Sequence, residues 1–152
     1  SIHYPPVENL HRNSILRETN YPANISERTT KNAIKIAKKI SEEINLIGIL
    51  AIEMFVMNDE NLIINELAPR PHNSGHWSID CCKYSQFQNL LFSIFDNQVK
   101  EPIPQKKCKM VNLIGNEYKK INYLKNHYRC YDYFKVKLNP NRKMGHYMII
   151  GD

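Results

Sequence analysis

The sequence is poor in glycine, which limits the ways in which it can hold a nucleotide. It contains 5 glycines in 152 residues. None of them forms a P-loop or another glycine-rich phosphate cradle, in which glycine lets the backbone approach the phosphates closely. A nucleophile elbow and a cysteine–histidine arrangement for covalent catalysis are also absent from the sequence. We therefore do not expect this chain to enclose a nucleotide by itself in the usual ways.

Cysteine usage and hydropathy exclude further classes of protein. The four cysteines, Cys81, Cys82, Cys108 and Cys130, lack the spacing of a metal site, and adjacent cysteines rarely bridge each other. No apolar run approaches the ~18 residues of a transmembrane helix, and no signal peptide is recognisable. These absences predict a reduced, cytoplasmic protein that does not associate with a membrane.

The charge of the chain is basic but dispersed. The formal net charge is +6, with 21 lysines and arginines against 15 acids. The length suits one domain, or one domain with a small appendage. A basic balance fits nucleic acid and phosphorylated small molecules equally well. The only dense basic run, residues 31–39, follows a helical pattern, so we expect it to be a solvated helix face.

The first half of the chain predicts two strands, a helix and a hairpin. Prolines disfavour helix near the start of the chain, and apolar residues flank an Asn13-Ser14 turn. Ser26 is a suitable N-cap for an amphipathic helix that ends near Asn45. A hairpin over residues 47–66 supplies the sheet that this helix covers.

The second half predicts one more helix and a small β-rich unit. Ser85 caps a helix whose inner face carries the apolar side chains Phe87, Leu90, Leu91 and Ile94. Two prolines then mark a linker. Beyond it, three stretches are typical of short strands: Met110–Ile114, Tyr128–Tyr133 and Met144–Ile150.

The predicted hairpin places two carboxylates together. A loop of two or four residues centred between Asp59 and Glu60 pairs Glu53 with Glu66, whose Cβ atoms would lie ~5 Å apart. Such a pair requires a cation or a shared proton, and oxygen ligands suit Mg²⁺. The alternative is that Glu53 forms an ion pair with a nearby lysine or arginine. A three-residue loop would break this register and remove the argument.

The loop that follows the hairpin concentrates polar side chains on a stiff backbone. Residues 65–77 contain two prolines and a glycine, so they form neither a helix nor a central strand. The guanidinium of Arg70 suits a carboxylate, bicarbonate or phosphate, or else a structural salt bridge. His72 and His76 suit metal binding or proton transfer, although their spacing off a helix argues against zinc. We expect Trp77 to be a core residue.

A second cationic cluster lies near the end of the sequence. Lys135, Arg142 and Lys143 flank a turn built on Asn-Pro-Asn. Three cations around a proline turn suit a phosphate group. The alternative is a solvated hairpin tip.

Residues 65–77 closely resemble the signature of the carboxyaminoimidazole ribonucleotide synthetases, which are ATP-grasp ligases of purine biosynthesis. Further segments match the same family in the same order: Tyr4–Asn9, Ile49–Phe55, Ser85–Phe87, Asn112–Gly115 and Arg142–His146. The resemblance implies an α+β fold. Residues 1–101 would form the C-terminal half of an ATP-grasp domain, an antiparallel sheet with covering helices. Residues 102–152 would form a small β-rich C-terminal domain.

The resemblance also implies an activity and its site residues. The family uses ATP to activate bicarbonate as carboxyphosphate and carboxylates aminoimidazole ribonucleotide. Glu53 and Glu66 would hold the Mg²⁺ that bridges the ATP phosphates. The bicarbonate and aminoimidazole pocket would be lined by Arg70, His72 and Asn73. The ribonucleotide phosphate would be held by Lys135 and Arg142, with Lys143 as a weaker candidate.

Two local departures from the family and one large one accompany the resemblance. Ala68 stands where many ATP-grasp enzymes carry an asparagine, and Asn-Pro-Asn stands where this family commonly has Arg-Pro-Gly. The family's N-terminal domain and the first half of its ATP-grasp domain, which hold most of the adenine site, are not in this sequence.

We therefore expect a C-terminal fragment that is inactive alone. Its expected partners are the N-terminal part of the same enzyme, the substrates and a second copy in a homodimer, without nucleic acid. The competing hypotheses are another ATP-grasp carboxylase or ligase, and a non-catalytic basic RNA-binding module.

Overall fold

A computed structural model describes residues 1–95 and 98–151 of the chain. Its helices are α1 (Glu27–Glu43), α2 (Ser78–Cys81), α3 (Gln86–Phe95) and α4 (Ile121–Leu124). Its strands are β1 (Glu8–Arg12), β2 (Ile15–Tyr21), β3 (Ala51–Val56), β4 (Leu62–Ala68), β5 (Cys108–Ile114), β6 (Arg129–Asp132) and β7 (Lys143–Ile150). The predicted α+β class is confirmed, and each predicted strand and helix is present to within a few residues.

The main sheet joins the two ends of the chain. Its five strands run in the order β1-β2-β5-β7-β6, and every neighbouring pair is antiparallel. Tyr21 of β2, for example, pairs with Cys108 of β5. The predicted boundary between residues 101 and 102 therefore marks a connection in the chain but does not divide this sheet. Proline content signals a connection, whereas tertiary pairing decides which strands share hydrogen bonds.

The core lies against this sheet and contains the predicted tryptophan. Trp77 is 2% exposed and stacks on Tyr21, with ring centroids 4.5 Å apart and planes 10° from parallel. It is surrounded by small and flexible apolar side chains, namely Cys81, Cys82, Cys108, Met110 and Met148. All four cysteines are free thiols, as predicted. Because Trp77 ends the polar loop, this core anchors that loop to the sheet.

The hairpin β3–β4 forms a separate two-stranded sheet, and its loop differs from the prediction. Met57 N–H donates to the Asn61 carbonyl at 2.9 Å, which leaves a three-residue loop, residues 58–60, with Glu60 at a φ of 63°. The predicted loop of two or four residues is wrong. A β-bulge between Glu53 and Met54 restores the register, because Asn65 is the extra residue on β4. Glu53 therefore does face Glu66, as predicted.

Helix α1 begins and ends close to the predicted residues. The Ser26 hydroxyl accepts from the Thr29 N–H at 3.1 Å and caps the helix. The helix ends at Glu43, and Asn45 just beyond it has a φ of 47°. The lysines of the basic run are exposed, which confirms that the run is a solvated face: Lys31, Lys35, Lys38 and Lys39.

The orientation of helix α3 differs from the prediction. Ser85 caps it as expected, since its hydroxyl accepts from the Gln88 N–H at 3.3 Å. However, three of the apolar residues predicted for the inner face are exposed: Phe87 (37%), Leu91 (53%) and Ile94 (56%). Leu90 alone of that set is half-buried. The buried face is polar instead and consists of Gln86, Asn89 and Ser93, because these side chains hydrogen-bond to neighbouring backbone.

Two connections beyond these elements affect the site. A 3₁₀ turn, Asn73–Gly75, lies inside the polar loop. A second one, Gly115–Lys120, follows β5. Gly115 has a φ of 51°, and a Cβ built on it would lie 2.7 Å from the Pro140 backbone. The basic turn of residues 135–143 therefore rests directly on Gly115. No helix within residues 1–95 and 98–151 is long and apolar enough to cross a membrane.

Replacing Gly115 by alanine is expected to destabilise the protein. The substitution Gly115→Ala combines a left-handed backbone with a clash against Pro140, so the free energy of unfolding falls by about 1–3 kcal/mol. Urea denaturation followed by circular dichroism measures this change. The matched control is Gly151→Ala, whose new Cβ would meet its nearest neighbour at 3.6 Å and should cost less than about 0.5 kcal/mol. Equal losses for the two variants would contradict this account.

Candidate active site

Two carboxylates face each other across the hairpin, and each has a different polar neighbour. Glu53 is largely buried, with 17% of its side chain exposed. One of its oxygens accepts from Asn65 Nδ2 at 3.3 Å, and the other lies 3.7 Å from His72 Nε2. Glu66 is 51% exposed and lies 3.9 Å from an Arg70 guanidinium nitrogen. The close partner of Glu53 is thus a histidine and not the lysine or arginine of the alternative hypothesis.

This pair fits a hard divalent cation that also has ligands from a bound substrate. Within the described ranges, no group of three or more His, Cys, Asp and Glu side chains is placed to enclose a metal. Two carboxylates are what Mg²⁺ typically takes from a protein when phosphate oxygens and water complete its octahedron. A zinc site would need a third or fourth nitrogen or sulfur ligand. The donor set around Glu53 and Glu66 therefore fits magnesium better than zinc.

His72 is held in one orientation beside Glu53. Its Nδ1 lies 2.8 Å from the Ser74 hydroxyl and accepts from the Ser74 N–H at 3.4 Å. Burial lowers the pKa of His72, and the nearby Glu53 carboxylate partly opposes this effect. A neutral ring whose Nδ1 accepts carries its proton on Nε2. That proton therefore points towards Glu53, which leaves His72 a donor at the carboxylate pair.

Arg70 keeps most of its donors towards solvent. Its side chain is 61% exposed. It donates one hydrogen bond that the described ranges show, from Nη1 to the Pro71 carbonyl at 3.2 Å. The contact with Glu66 at 3.9 Å is long and exposed, so it contributes little to stability. The guanidinium is therefore available for a planar anion next to the carboxylates.

Asn73 turns away from this group and into the main sheet. Its Nδ2 donates to Asn112 Oδ1 at 3.1 Å and to the Tyr133 hydroxyl at 2.9 Å. Its Oδ1 accepts from Asn112 Nδ2 at 2.6 Å. Asn112 is fully buried. The Asn73 amide thus ties the polar loop to β5, which is a structural contact that sequence reasoning did not find.

The same network continues through the half-buried His76 and the buried His146. The Tyr133 hydroxyl lies 2.8 Å from His146 Nδ1 and 3.2 Å from His76 Nδ1. Burial lowers the pKa of His76 to about 4 and that of His146 to about 3. Both rings are therefore neutral near pH 7. His76 sits inside the protein against a tyrosine, away from the carboxylate pair to which His72 points.

A sequence signal for this network existed. Asn112 and His146 are polar residues in otherwise apolar strands, and the register of β5 and β7 pairs them directly. Buried polar side chains of this kind are hydrogen-bonded almost without exception. Tyr133 carries no comparable signal, since it lies just beyond β6 among other aromatic residues.

The basic turn reaches the carboxylates through Lys143. Burial lowers the pKa of Lys143, Glu53 and Glu66 raise it, and Lys135 and Arg70 lower it further. Lys143 thus lies within electrostatic range of both carboxylates. A groove of about 1100 Å³ is lined by Glu53, Glu66, His72, Asn141 and Lys143.

The other two cations of the turn lie beside Lys143. Lys135 Nζ donates to the Lys143 carbonyl at 2.6 Å and lies 5.5 Å from the centre of the Tyr133 ring. Burial lowers the pKa of Lys135, and the nearby Arg142 lowers it further. Arg142 itself is exposed. Lys135 thus lies within electrostatic range of Arg142, and Lys143 lies within electrostatic range of the carboxylates.

Comparison with known proteins shows the family of this chain. The ATP-grasp domain model matches residues 1–87, and the phosphoribosylaminoimidazole carboxylase C-terminal domain model matches residues 108–152. The chain therefore belongs to the ATP-grasp family. Among curated proteins it is 39% identical to N5-carboxyaminoimidazole ribonucleotide synthase of Bacillus subtilis and 36% identical to that of Staphylococcus epidermidis. The family resemblance found in the sequence is thus confirmed.

Solved structures of the same enzymes share the fold. The ADP complex of an N5-carboxyaminoimidazole ribonucleotide synthetase matches 98% of this chain with a TM-score of 0.93 and 39% identity. An Aspergillus clavatus N5-carboxyaminoimidazole synthase in complex with ADP and 5-aminoimidazole ribonucleotide matches 99% of it with a TM-score of 0.92 and 29% identity. These matches confirm the ATP-grasp fold with its additional C-terminal strands.

The match covers only part of the relatives. The alignments span 94% and 100% of this chain but 38% and 41% of the Bacillus and Staphylococcus proteins. The two solved structures are covered to 40% and 43% of their length. The chain thus spans about two fifths of the proteins that it matches.

The lowered pKa values of His76 and His146 predict a loss of stability in mild acid. Their pKa values in the folded state, about 4 for His76 and about 3 for His146, lie below the ordinary value of 6.5. The unfolded chain therefore takes up protons first as the pH falls below 6.5. Each histidine should lower the free energy of unfolding by about 2 kcal/mol by about pH 5. Urea denaturation at several pH values measures this loss.

Two variants test the assignment of this pH dependence. His146→Asn removes one titrating ring. The decrease in the free energy of unfolding between pH 7 and pH 5 should therefore be smaller by roughly 2 kcal/mol, whatever the stability of the variant at pH 7. His127→Asn removes an exposed histidine and should leave the acid loss unchanged. Unfolding free energies that are equal at pH 7 and pH 5 in the unsubstituted chain would be incompatible with the two buried neutral rings.

Proposed function

We propose that this chain supplies the metal carboxylates and much of the substrate pocket of an ATP- and bicarbonate-dependent ligase that carboxylates aminoimidazole ribonucleotide by way of carboxyphosphate. The observation that carries the proposal is the Glu53–Glu66 pair with His72 and Lys143 along one groove. Both family models and the similarity to N5-carboxyaminoimidazole ribonucleotide synthases support the same activity. The step belongs to purine biosynthesis.

Glu53 and Glu66 are the proposed metal ligands. Their oxygens would hold Mg²⁺, which when bound offsets the charge of ATP phosphates during phosphoryl transfer. Glu53 is restrained by Asn65 and His72, so it is the better ordered of the two. Glu66 is more exposed, and among the described residues its side chain has a long contact to Arg70, so it can turn towards the ion.

Arg70 and His72 are the proposed contacts to the anionic substrate. The exposed guanidinium offers two parallel donors to a planar oxyanion such as bicarbonate. The Nε2–H of neutral His72 offers a third donor beside it. Asn73 is also proposed for this pocket. In this structure its amide holds the loop to Asn112, so its effect on the pocket is through the position of the loop.

Lys135, Arg142 and Lys143 are the proposed phosphate-binding residues. The turn that carries them rests on Gly115, and Lys135 is fixed by the Lys143 carbonyl. Lys143 lies within electrostatic range of both carboxylates. Its ammonium group would therefore interact electrostatically with the phosphates of ATP as well as with that of the ribonucleotide. The phosphate of the ribonucleotide would then lie towards Lys135 and Arg142.

The N-terminal part of such an enzyme is the proposed partner. A two-stranded hairpin is marginally stable alone, yet β3–β4 exposes Phe55, Ile63, Ile64 and Leu67 by 44–56% each. The relatives, of which this chain covers about two fifths, have additional chain to cover that surface and to complete an adenine site. A cytoplasmic location and a homodimer stay predictions.

The first test is phosphate release from Mg·ATP by this chain mixed with the complementary N-terminal portion of a relative. We expect release that is stimulated by aminoimidazole ribonucleotide, and no turnover by the pure chain. Glu66→Ala should lower the stimulated rate by about a hundredfold or more, since metal-bound charge stabilisation is worth several kcal/mol. Glu43→Ala, on the exposed end of α1, is the matched control and should keep full activity.

The outcomes of this test separate the competing hypotheses. Stimulation by a different acceptor would indicate another ATP-grasp ligase. No stimulation from two folded pieces would contradict the proposed substrate and favour the RNA-binding module. That module in turn requires RNA binding that weakens steeply with salt.

The phosphate-binding turn makes its own prediction. Lys135→Met removes a cation but keeps the length of the side chain, so the KM for aminoimidazole ribonucleotide should rise by about tenfold to a hundredfold, as for one charge-assisted hydrogen bond. The KM for ATP should change much less. Lys39→Met, on the solvated face of α1, is the control. A selective rise in the KM for ATP would assign Lys135 to the nucleotide instead.

A further inference from the structure

Gln86 grips the backbone of His72 with both ends of its amide. Its Oε1 accepts from the His72 N–H at 3.0 Å, and its Nε2 donates to the His72 carbonyl at 2.8 Å. Gln86 is 3% exposed, so both bonds are shielded from water. The geometry resembles one rung of an antiparallel ladder, in which one residue exchanges two hydrogen bonds with its partner. Here a side chain takes the place of the second strand.

The same glutamine is fixed from the other side. Its backbone N–H donates to the Ser78 hydroxyl at 3.0 Å, and that hydroxyl donates to the Gly75 carbonyl at 2.6 Å. Ser78 is fully buried. Gln86 is therefore connected to both ends of the short turn that begins after His72. This leaves it little freedom to move away from the loop.

Gly75 provides the space that the amide needs. A Cβ built on Gly75 would lie 2.5 Å from Gln86 Oε1 and 2.8 Å from its Cδ. Real Cβ atoms do not approach that closely, so any other residue at position 75 would displace the amide. Two features of the polar loop, a glycine and a facing glutamine from α3, thus belong to one arrangement.

The other contacts of His72 in this loop are local, since its carbonyl also accepts from the Gly75 N–H at 2.9 Å and its Nδ1 lies 2.8 Å from the Ser74 hydroxyl. Two prolines surround Arg70 and remove two backbone donors. The acceptor that the described ranges show for the His72 N–H is the Gln86 amide. Regular secondary structure begins again only with the short turn at Asn73. Ser74 fixes the rotation of the His72 ring, whereas Gln86 ties the His72 backbone to helix α3.

We propose that Gln86 is a positioning residue that holds His72 against Glu53, and that Gly75 is the glycine that makes room for its amide. Gln86 contacts the backbone of His72, so it acts on the reaction through that residue. The consequence for catalysis rests on the proposed function. The hydrogen-bonded arrangement itself is independent of that function and is testable on this chain alone.

The first experiment is amide hydrogen exchange of this chain, measured by NMR, with the variant Gln86→Met. Methionine keeps the length of the side chain but lacks the amide, so we expect the His72 N–H to exchange at least about tenfold faster, as a lost hydrogen bond implies. The Gly115 N–H, which donates to the Arg142 carbonyl at 3.0 Å, should keep its rate. Gln105→Met, at an exposed glutamine, is the matched control and should change neither rate.

Two results would overturn the inference. An unchanged His72 rate in Gln86→Met would show that the amide is not its acceptor. An equal acceleration of His72 and Gly115 would indicate a general loss of stability and not the release of one loop.

A second pair of variants reaches the same arrangement from the glycine. Gly75→Ala alone should accelerate His72 exchange and lower the urea midpoint, because its Cβ displaces the amide. In the background of Gln86→Ala, where that amide is gone, the same substitution should lower the midpoint far less. Losses that simply add would show that the two positions are independent and would refute the role of Gly75.

The effect on catalysis is measured by phosphate release from this chain mixed with the N-terminal portion of a relative. Gln86→Met should lower kcat by about a hundredfold, which is typical when a contributing group is misplaced by about 1 Å, while the KM for Mg·ATP stays within about twofold. An unchanged kcat would overturn the link to catalysis. If the unsubstituted mixture shows no ligase activity, the proposed function fails, and the exchange and midpoint data alone decide on the positioning of His72.

Discussion

The site depends on one constraint, the alignment of two like-charged carboxylates on adjacent strands. Glu53 and Glu66 face each other because a bulge at Asn65 compensates for a three-residue loop. Direct opposition of two acids is unfavourable unless cations or hydrogen bonds offset it. The neighbours of the pair supply this offset: Asn65, His72, Arg70 and, at longer range, Lys143. A bound Mg²⁺ would add further positive charge beside the two carboxylates.

The neighbours come from two separate parts of the chain, the polar loop and the basic turn, and buried polar contacts hold those parts together. Asn73 and Asn112 exchange hydrogen bonds between the polar loop and the main sheet. Tyr133, His76 and His146 extend that contact without any charge, because burial depresses the pKa of both rings. Neutral polar groups are buried at a lower cost than charged ones. The structure thus separates a neutral interior network, which fixes the loop, from the charged groove that it supports.

Helix α3 and the hairpin both expose apolar residues. Helix α3 holds the loop through Gln86 and leaves Phe87, Leu91 and Ile94 exposed. The hairpin likewise exposes apolar residues beside its carboxylates. Apolar periodicity shows that a helix has one face to cover, but it does not say which chain covers it. In this chain the polar face of α3 is the internal one and the apolar face is exposed, where the proposed N-terminal part would cover it.

What the sequence determined by itself is local. The Ser26 cap, the Asn13-Ser14 turn, the positions of the strands and the polar loop all follow from neighbouring residues, and the run from Asn65 to Trp77 was sufficient to indicate the family. Tertiary structure alone decided that β2 pairs with β5 across the predicted boundary, that Gln86 binds His72, and that Lys143 approaches Glu53 and Glu66. These contacts join residues far apart in the chain, and their free energy arises only when burial removes water from both partners. The register of the hairpin shows the limit most clearly: the predicted pairing was right, but the bulge that produces it depends on backbone geometry that side-chain patterns do not encode.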